Sequence, residues 1–209
     1  MDTNILDNIV EHIPFYLTQD KDAKNGFVKN LEDFPNNINY YTTYYPNDEL
    51  QGDGWDGLDI VNVVTSERRT VQGIILSNSC DISTENKRDL PPNILFSPIV
   101  DLKKYRNMLI NEGITESQID SKFEAIKKQK VTSLFYLPTI GDFPESIVIF
   151  DDVRSLPMNY FQDKKSSKDI KKVFTLSQFG FYLFLFKISI HFCRFHEKVL
   201  RDKPPTQAQ

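Results

Sequence analysis

Hydrophobic and polar positions change period several times along this chain, and each change marks a different element. Ile5, Leu6, Ile9, Val10, Ile13 and Phe15 recur at helical spacing, which predicts an amphipathic helix ending before Pro14. Residues 19–50 are polar and aromatic, and the run Tyr40-Tyr41-Thr42-Thr43-Tyr44-Tyr45 reads as a strand or as an ordered surface loop. Gly52-Asp53-Gly54 signals a turn. Strand patterning then takes over. Trp55 to Val64 reads as a long strand through Leu58, Ile60, Val61, Val63 and Val64, and Ser66-Glu67-Arg68-Arg69 as a polar turn. Val71 to Leu76 is nearly continuous in apolar residues, as in a strand covered on both faces, with Gly73 marking a bend or a close backbone approach. A charged loop over 83–92 ends at Pro91-Pro92, and the next strand runs from Asn93 to Val100.

Helical spacing returns over 101–128. Leu102, Tyr105, Met108, Leu109 and Ile110 form one group and Ile119, Phe123 and Ile126 another, with Gly113 between them, so a helical hairpin is inserted between strands. Strands resume at Val131 to Leu137 and Ser146 to Val153, around the turn Pro138-Thr139-Ile140-Gly141-Asp142. Lys164 to Lys172 holds five lysines in nine residues and reads as a basic linker. A long helix, about Leu176 to Arg201, closes the pattern before Pro204-Pro205. Within it Phe179 to Phe192 is almost wholly apolar. A membrane span needs about 20 apolar residues, and Lys187 interrupts this shorter run, so a buried helix is expected and no membrane partner. The whole pattern predicts an α+β protein with a small, strongly curved, mostly antiparallel β-barrel.

Composition narrows the picture. A chain of 209 residues suits one domain, and 16 Phe with 9 Tyr supply ample bulk for its core. The formal charge of −4 argues against a broad nucleic-acid footprint and leaves room for a local one. Cys80 and Cys193 lie far apart with no metal-like spacing, as expected of reduced thiols in a cytoplasmic protein. The start Met1-Asp2-Thr3-Asn4 lacks the basic and apolar regions of a signal peptide.

Gly52-Asp53, Gly73-Ile74-Ile75-Leu76-Ser77-Asn78, Ile94-Leu95-Phe96-Ser97-Pro98-Ile99-Val100 and Ser146-Ile147-Val148-Ile149-Phe150-Asp151-Asp152-Val153-Arg154 follow one another in an order that resembles the SH3-like barrel of the MazF/PemK family. Those proteins are ribonuclease toxins of bacterial toxin–antitoxin pairs. The resemblance covers Gly52 to Met158, about half of the chain. It implies an SH3-like barrel over 51–158 with a helical insertion at 101–128. Around it lie an N-terminal helix and aromatic extension (1–50), a linker (159–175), a C-terminal helix packed on the barrel (176–203) and a tail (204–209). The family's chemistry is metal-independent RNA cleavage by an Arg before the second strand and a Thr ending the third. The Arg position falls near Val71, with Arg68 and Arg69 two to three residues earlier, and the Thr position falls on Val100. Ser77-Asn78-Ser79-Cys80-Asp81-Ile82 and Phe192-Cys193-Arg194-Phe195-His196 also resemble a bacterial family with a Ser-x-x-Cys-Asp-Ile strand end and a Phe-x-Arg helix, which carries no assigned activity.

Two sets of residues are candidates for chemistry. Arg68, Arg69, Ser77, Cys80, Asp81 and Arg194 could form a rearranged catalytic site if the last helix crosses the barrel mouth, with His12, His191 or His196 as base for a Cys80 thiolate. The alternative is structural: Cys80 buried, Asp81 capping the turn, Arg194 paired with Asp81. For binding, Tyr40, Tyr41, Tyr44 and Tyr45 could stack bases or form a structural patch, and Lys164, Lys165, Lys168, Lys171 and Lys172 could meet phosphates or stay solvated. Cys193, His196 and Glu197 share a helix face but fall short of the three or four ligands of a zinc site, so no metal and no cofactor is expected. Asp142, Glu145, Asp151 and Asp152 read as solvated turn acids, the last two on opposite faces of a strand. Two functions are expected on these grounds: a module binding a protein such as an antitoxin or defence subunit, or a ribonuclease acting on RNA. Self-association is left open.

Overall fold

The tyrosine run divides between core and solvent. Tyr40 and Tyr41 are buried, whereas Tyr44 and Tyr45 are exposed, because the chain turns away after a two-residue strand. The computed structural model describes residues 38–83, 85–86 and 88–192. The helix expected before Pro14, and His12, Cys193, Arg194, His196 and Glu197, lie outside the described residues.

Eight strands form one antiparallel sheet, curled into a half-barrel. They are β1 (Tyr41–Thr42), β2 (Gly54–Val61), β3 (Arg68–Ile75), β4 (Asn93–Asp101), β5 (Leu134–Leu137), β6 (Ser146–Ile149), β7 (Arg154–Pro157) and β8 (Lys171–Leu176). The order is β1-β8-β2-β3-β4-β6-β5, with β7 also paired to β4. The length of β4 explains the curl. One edge of it pairs first with β7, at Asn93 to Phe96, and then with β6, at Ile99 to Asp101, while its other edge pairs with β3. The helices are α1 (Ser79–Ile82), α2 (Leu102–Asn111), α3 (Glu116–Lys127), α4 (Met158–Ser166) and α5 (Gln178–Phe192).

Both faces of the sheet are covered. Ile74 and Ile75 are neighbours on β3 and alternate between faces. Ile74 packs with Phe135, Phe150, Phe174 and α5 residues Leu183 and Phe184, and Ile75 packs with Trp55, Leu58, Phe96 and Phe161 of α4. Gly73 allows this close packing, since a Cβ there would stand 2.6 Å from Phe96. The helical hairpin expected at 101–128 is α2 and α3, with Ile126 packed on Leu134, Tyr136 and Ile147. Among the described residues no helix is long and apolar enough to cross a membrane.

Several elements depart from the sequence pattern. The stretch read as a basic linker is the end of α4 followed by β8, which lies between β1 and β2 because Phe174 and Leu176 are drawn into the core. Ser146 to Val153 is not one strand: it breaks after Ile149, where Asp152 N–H turns back to the Ile149 carbonyl at 3.1 Å, and restarts as β7 on another part of β4. Asp151 and Asp152 therefore sit in a turn. Arg68 and Arg69 open β3 instead of forming the turn, and Val63 and Val64 occupy the exposed hairpin tip beyond β2. Leu176 belongs to β8, and the last helix begins at Gln178.

Candidate functional site

The densest polar cluster surrounds Asp59. Hairpin pairing sets Arg68 opposite Val61 and diagonal to Asp59, which brings the two side chains to one face. Tyr160 and Lys164, one helical turn apart on α4, complete the cluster. Arg68 Nε donates to Asp59 Oδ1 at 3.1 Å, and Tyr160 Oη and Lys164 Nζ each donate to Oδ2 at 2.6 Å. Lys164 Nζ also donates to the Gly57 carbonyl at 2.8 Å, and Arg68 donates to the Tyr160 hydroxyl. The Arg68 guanidinium lies 5.6 Å from the Tyr160 ring centre.

Burial pushes the Asp59 carboxyl up, but hydrogen bonds from Arg68, Lys164 and Tyr160 and the Lys164 charge outweigh it and hold the group well below the usual carboxylate range. The same bond to Asp59 raises the Tyr160 phenol, with desolvation adding to the rise. Asp59 is thus an ionised anchor that orients Arg68. Beside it opens a pocket of about 680 Å³ between the β2–β3 hairpin and β7, walled by Ile60, Val61, Val153 and Leu156 and edged by Arg68 and Tyr160.

The candidate catalytic residues do not converge. Arg68 opens β3, and the Ser77 to Asp81 corner follows its far end. An extended strand of eight residues separates its ends by about 23 Å, at roughly 3.3 Å per residue. Arg69 alternates to the face opposite Arg68. The Ser77 hydroxyl accepts the Leu95 N–H at 2.7 Å and extends the β3–β4 ladder. Cys80 is exposed, against the buried thiol expected in the structural alternative. The cap of α1 is Asn78, whose Oδ1 accepts the Cys80 N–H at 2.9 Å, while Asp81 pairs with Arg88 at 2.9 Å. His191 pairs with Asp151 at 3.2 Å. Val100 pairs with Ile147 and packs against the helical hairpin cluster.

The binding candidates are also mostly committed to the fold. Tyr41 donates its hydroxyl to the Pro138 carbonyl at 2.6 Å and, like Tyr40, is too buried to stack a base. Lys164 belongs to the Asp59 cluster. Lys165 donates to the Asn47 carbonyl at 2.8 Å and pairs with Glu49. Lys172 pairs with the fully buried Asp53 at 2.8 Å and donates to the Tyr45 carbonyl at 2.8 Å. Both ammonium groups lie over the Trp55 ring, at 5.8 and 5.7 Å. These lysines tie the 43–50 segment to the sheet, while Lys168 and Lys171 remain exposed. Glu145, read as a solvated acid, instead accepts the Tyr136 hydroxyl at 2.5 Å and pairs with Lys127 at 3.0 Å.

Asp59 and Tyr160 were not singled out from sequence. The hairpin register carried a signal for the first, since Asp59 and Arg68 flank a short turn; nothing local carried one for the second, about a hundred residues on. No protein-family model matches this chain, and no curated protein is significantly similar to it.

Proposed function

We propose that this chain is a cytoplasmic binding module of a bacterial toxin–antitoxin or phage-defence system, an SH3-like barrel of the MazF/PemK kind that engages another protein. The observation that carries this reading is the distance along β3 between Arg68 and the Ser77 to Asp81 corner. A ribonuclease needs a cation and its acid–base groups around one phosphate, and here an extended strand separates them. Exposed Val63, Val64 and Tyr44 offer apolar surface near the hairpin and the aromatic segment for a protein partner.

A second reading, a metal-independent ribonuclease with a rearranged site, draws on one observation. Arg68 and Tyr160 edge the same pocket, a cation and a proton donor side by side. One experiment separates the two. The purified chain and its Arg68→Ala/Arg69→Ala variant are incubated with total bacterial RNA, and both are expressed in cells alone, to read growth, and together with the product of an adjacent gene, to read complex formation. The binding reading expects intact RNA, no growth arrest and a stoichiometric complex. RNA cut by the parent chain but not by the variant, with growth arrest to match, would establish the ribonuclease instead.

A further inference from the structure

The pocket beside Asp59 has an unequal set of polar groups. Its carboxylate acceptors are occupied: Asp59 Oδ1 by Arg68, and Oδ2 by Tyr160 and Lys164. Its donors are not. A guanidinium carries five N–H groups, and among the described residues Arg68 directs only its Nε and one Nη, at Asp59 and Tyr160. The Asn159 carboxamide accepts the Tyr160 N–H through Oδ1 at 2.9 Å, which leaves its amino group to donate. The Ser155 N–H points away from β4, because the Met158 N–H to Pro92 carbonyl bond sets the alternation of that ladder.

Charge narrows the ligand further. Arg68, Lys164 and Arg154 stand against Asp59 and Asp152, so three cations meet two carboxylates and one positive charge is left over. The remaining wall is apolar, from Val61, Val153 and Leu156. A group that complements this pocket accepts hydrogen bonds, carries one negative charge, and has an apolar body. Its volume lies in the range that holds small ligands.

We propose that this pocket binds an amphipathic carboxylate, its carboxylate on the free edge of the Arg68 guanidinium and its apolar body against Val61, Val153 and Leu156. The planar fork of Arg68, held from behind by Asp59, matches a carboxylate in two parallel bonds. A nucleic acid suits the site less well. One surplus charge is a weak attraction for a polyanion, and the Tyr160 ring carries Arg68 and Lys164 near it where a base would stack. The same chemistry is offered by a free carboxylic acid and by the C-terminal residue of a partner chain. With a free acid the inference stands apart from the protein-partner reading; with a chain end it rests on that reading, and the titration below separates the two.

The test is a titration of the ¹⁵N-labelled full chain, followed by amide shifts, with octanoate, octylamine, and the tripeptide acetyl-Ala-Val-Leu as acid and as amide. Saturable shifts at Val61, Ser155 and Tyr160 are expected with an acid and not with octylamine or the peptide amide. Tighter binding of octanoate assigns the site to free acids, and tighter binding of the peptide acid assigns it to a chain end. Arg68→Met should weaken binding at least tenfold. Val61→Glu, at a half-exposed position where folding is not at risk, should do the same by repulsion. Equal binding of the amine or amide, shifts that fall elsewhere, no shift with either acid at millimolar concentration, or an undiminished Val61→Glu would overturn the proposal. Displacement of octanoate by an oligoribonucleotide but not by the peptide acid would overturn it in favour of RNA.

Discussion

Lys187 lies in the middle of α5, is only 4% exposed, and donates to the carbonyls of Gln129, at 2.8 Å, and Val131 in the turn after α3. Burial, with no carboxylate paired to it among the described residues, pushes its amine down from 10.5 to about 7. A neutral amine has two N–H donors for two carbonyls, so the bonds survive loss of the charge. Between pH 7 and 10.5 the unfolded chain holds a proton here that the folded chain has released. The Lys187 contribution to stability therefore rises with pH across that window and is flat below it. From pH 7 to about pH 9 the gain is about 2 kcal/mol, or a shift of about 1 M in the urea midpoint at a slope of about 2 kcal/mol/M. Tyr40, Tyr41 and Tyr136 are raised by burial, and above about pH 10 their ionisation in the unfolded chain reverses the trend. Urea denaturation at stepped pH below that limit checks the sign. Lys187→Met keeps the apolar stem and removes the titrating group, so its midpoint should barely move. A parent midpoint that is flat or falls over the window, or a Met variant with the parent's slope, would refute the reasoning.

Other consequences are open to measurement. Asp59→Asn leaves Lys164 without its counter-charge and should destabilise the fold by about 2–3 kcal/mol in chemical denaturation. The Asp59 contribution is in place above the ordinary aspartate range and is lost as pH falls toward its depressed folded value, so the variant should also show a shallower acid limb. Gly180→Ala puts a Cβ 2.4 Å from the Tyr40 carbonyl, where α5 crosses the start of the sheet. It should cost about 2 kcal/mol and lower Tm by about 4–8 °C in a calorimetric scan. Gln129→Ala removes both bonds to the Tyr136 backbone, and faster hydrogen exchange at the Tyr136 amide is expected, with a loss of about 2 kcal/mol.

What the sequence made legible followed from local period. The helical hairpin was plain because Leu102, Leu109, Ile119 and Ile126 recur at helical spacing and are the residues it buries. The β2–β3 hairpin and β4 were legible for the same reason, with period two or continuous apolar runs. Where it failed, the deciding contact was remote. Ile147 to Phe150 carries no polar break, so the pattern reads as one strand; the chain instead turns at the Asp152 N–H to Ile149 carbonyl bond, and Arg154 to Pro157 pairs with Asn93 to Phe96, about sixty positions upstream. The lysines of 164–172 looked like a solvated run because their partners, Asp53, Asp59, Glu49 and the Trp55 ring, lie more than a hundred positions upstream. Half of the site was readable on the same logic. Asp59 and Arg68 belong to one hairpin, whereas Tyr160 reaches them only once α4 is packed on the sheet.

The edges of the sheet bear on what kind of ligand it can take, since an open strand edge invites pairing with another chain. At β5 that route is closed, for the Gln129 carboxamide donates to the Tyr136 carbonyl at 2.8 Å and accepts its N–H at 3.1 Å, holding both groups a further strand would need. At β1 the strand is two residues long, and its outward Tyr41 N–H already donates to Asn39 Oδ1 at 3.3 Å. At β7 the Ser155 N–H and carbonyl stay outward, but Pro157 has no N–H to extend the ladder and charged Arg154 precedes Ser155. One residue pair is too little to hold an incoming strand. The cleft beside β7 must then recognise its ligand through Arg68 and the apolar wall, with Ser155 adding a single donor and acceptor. That geometry favours a short group bearing one terminal charge over a long extended segment.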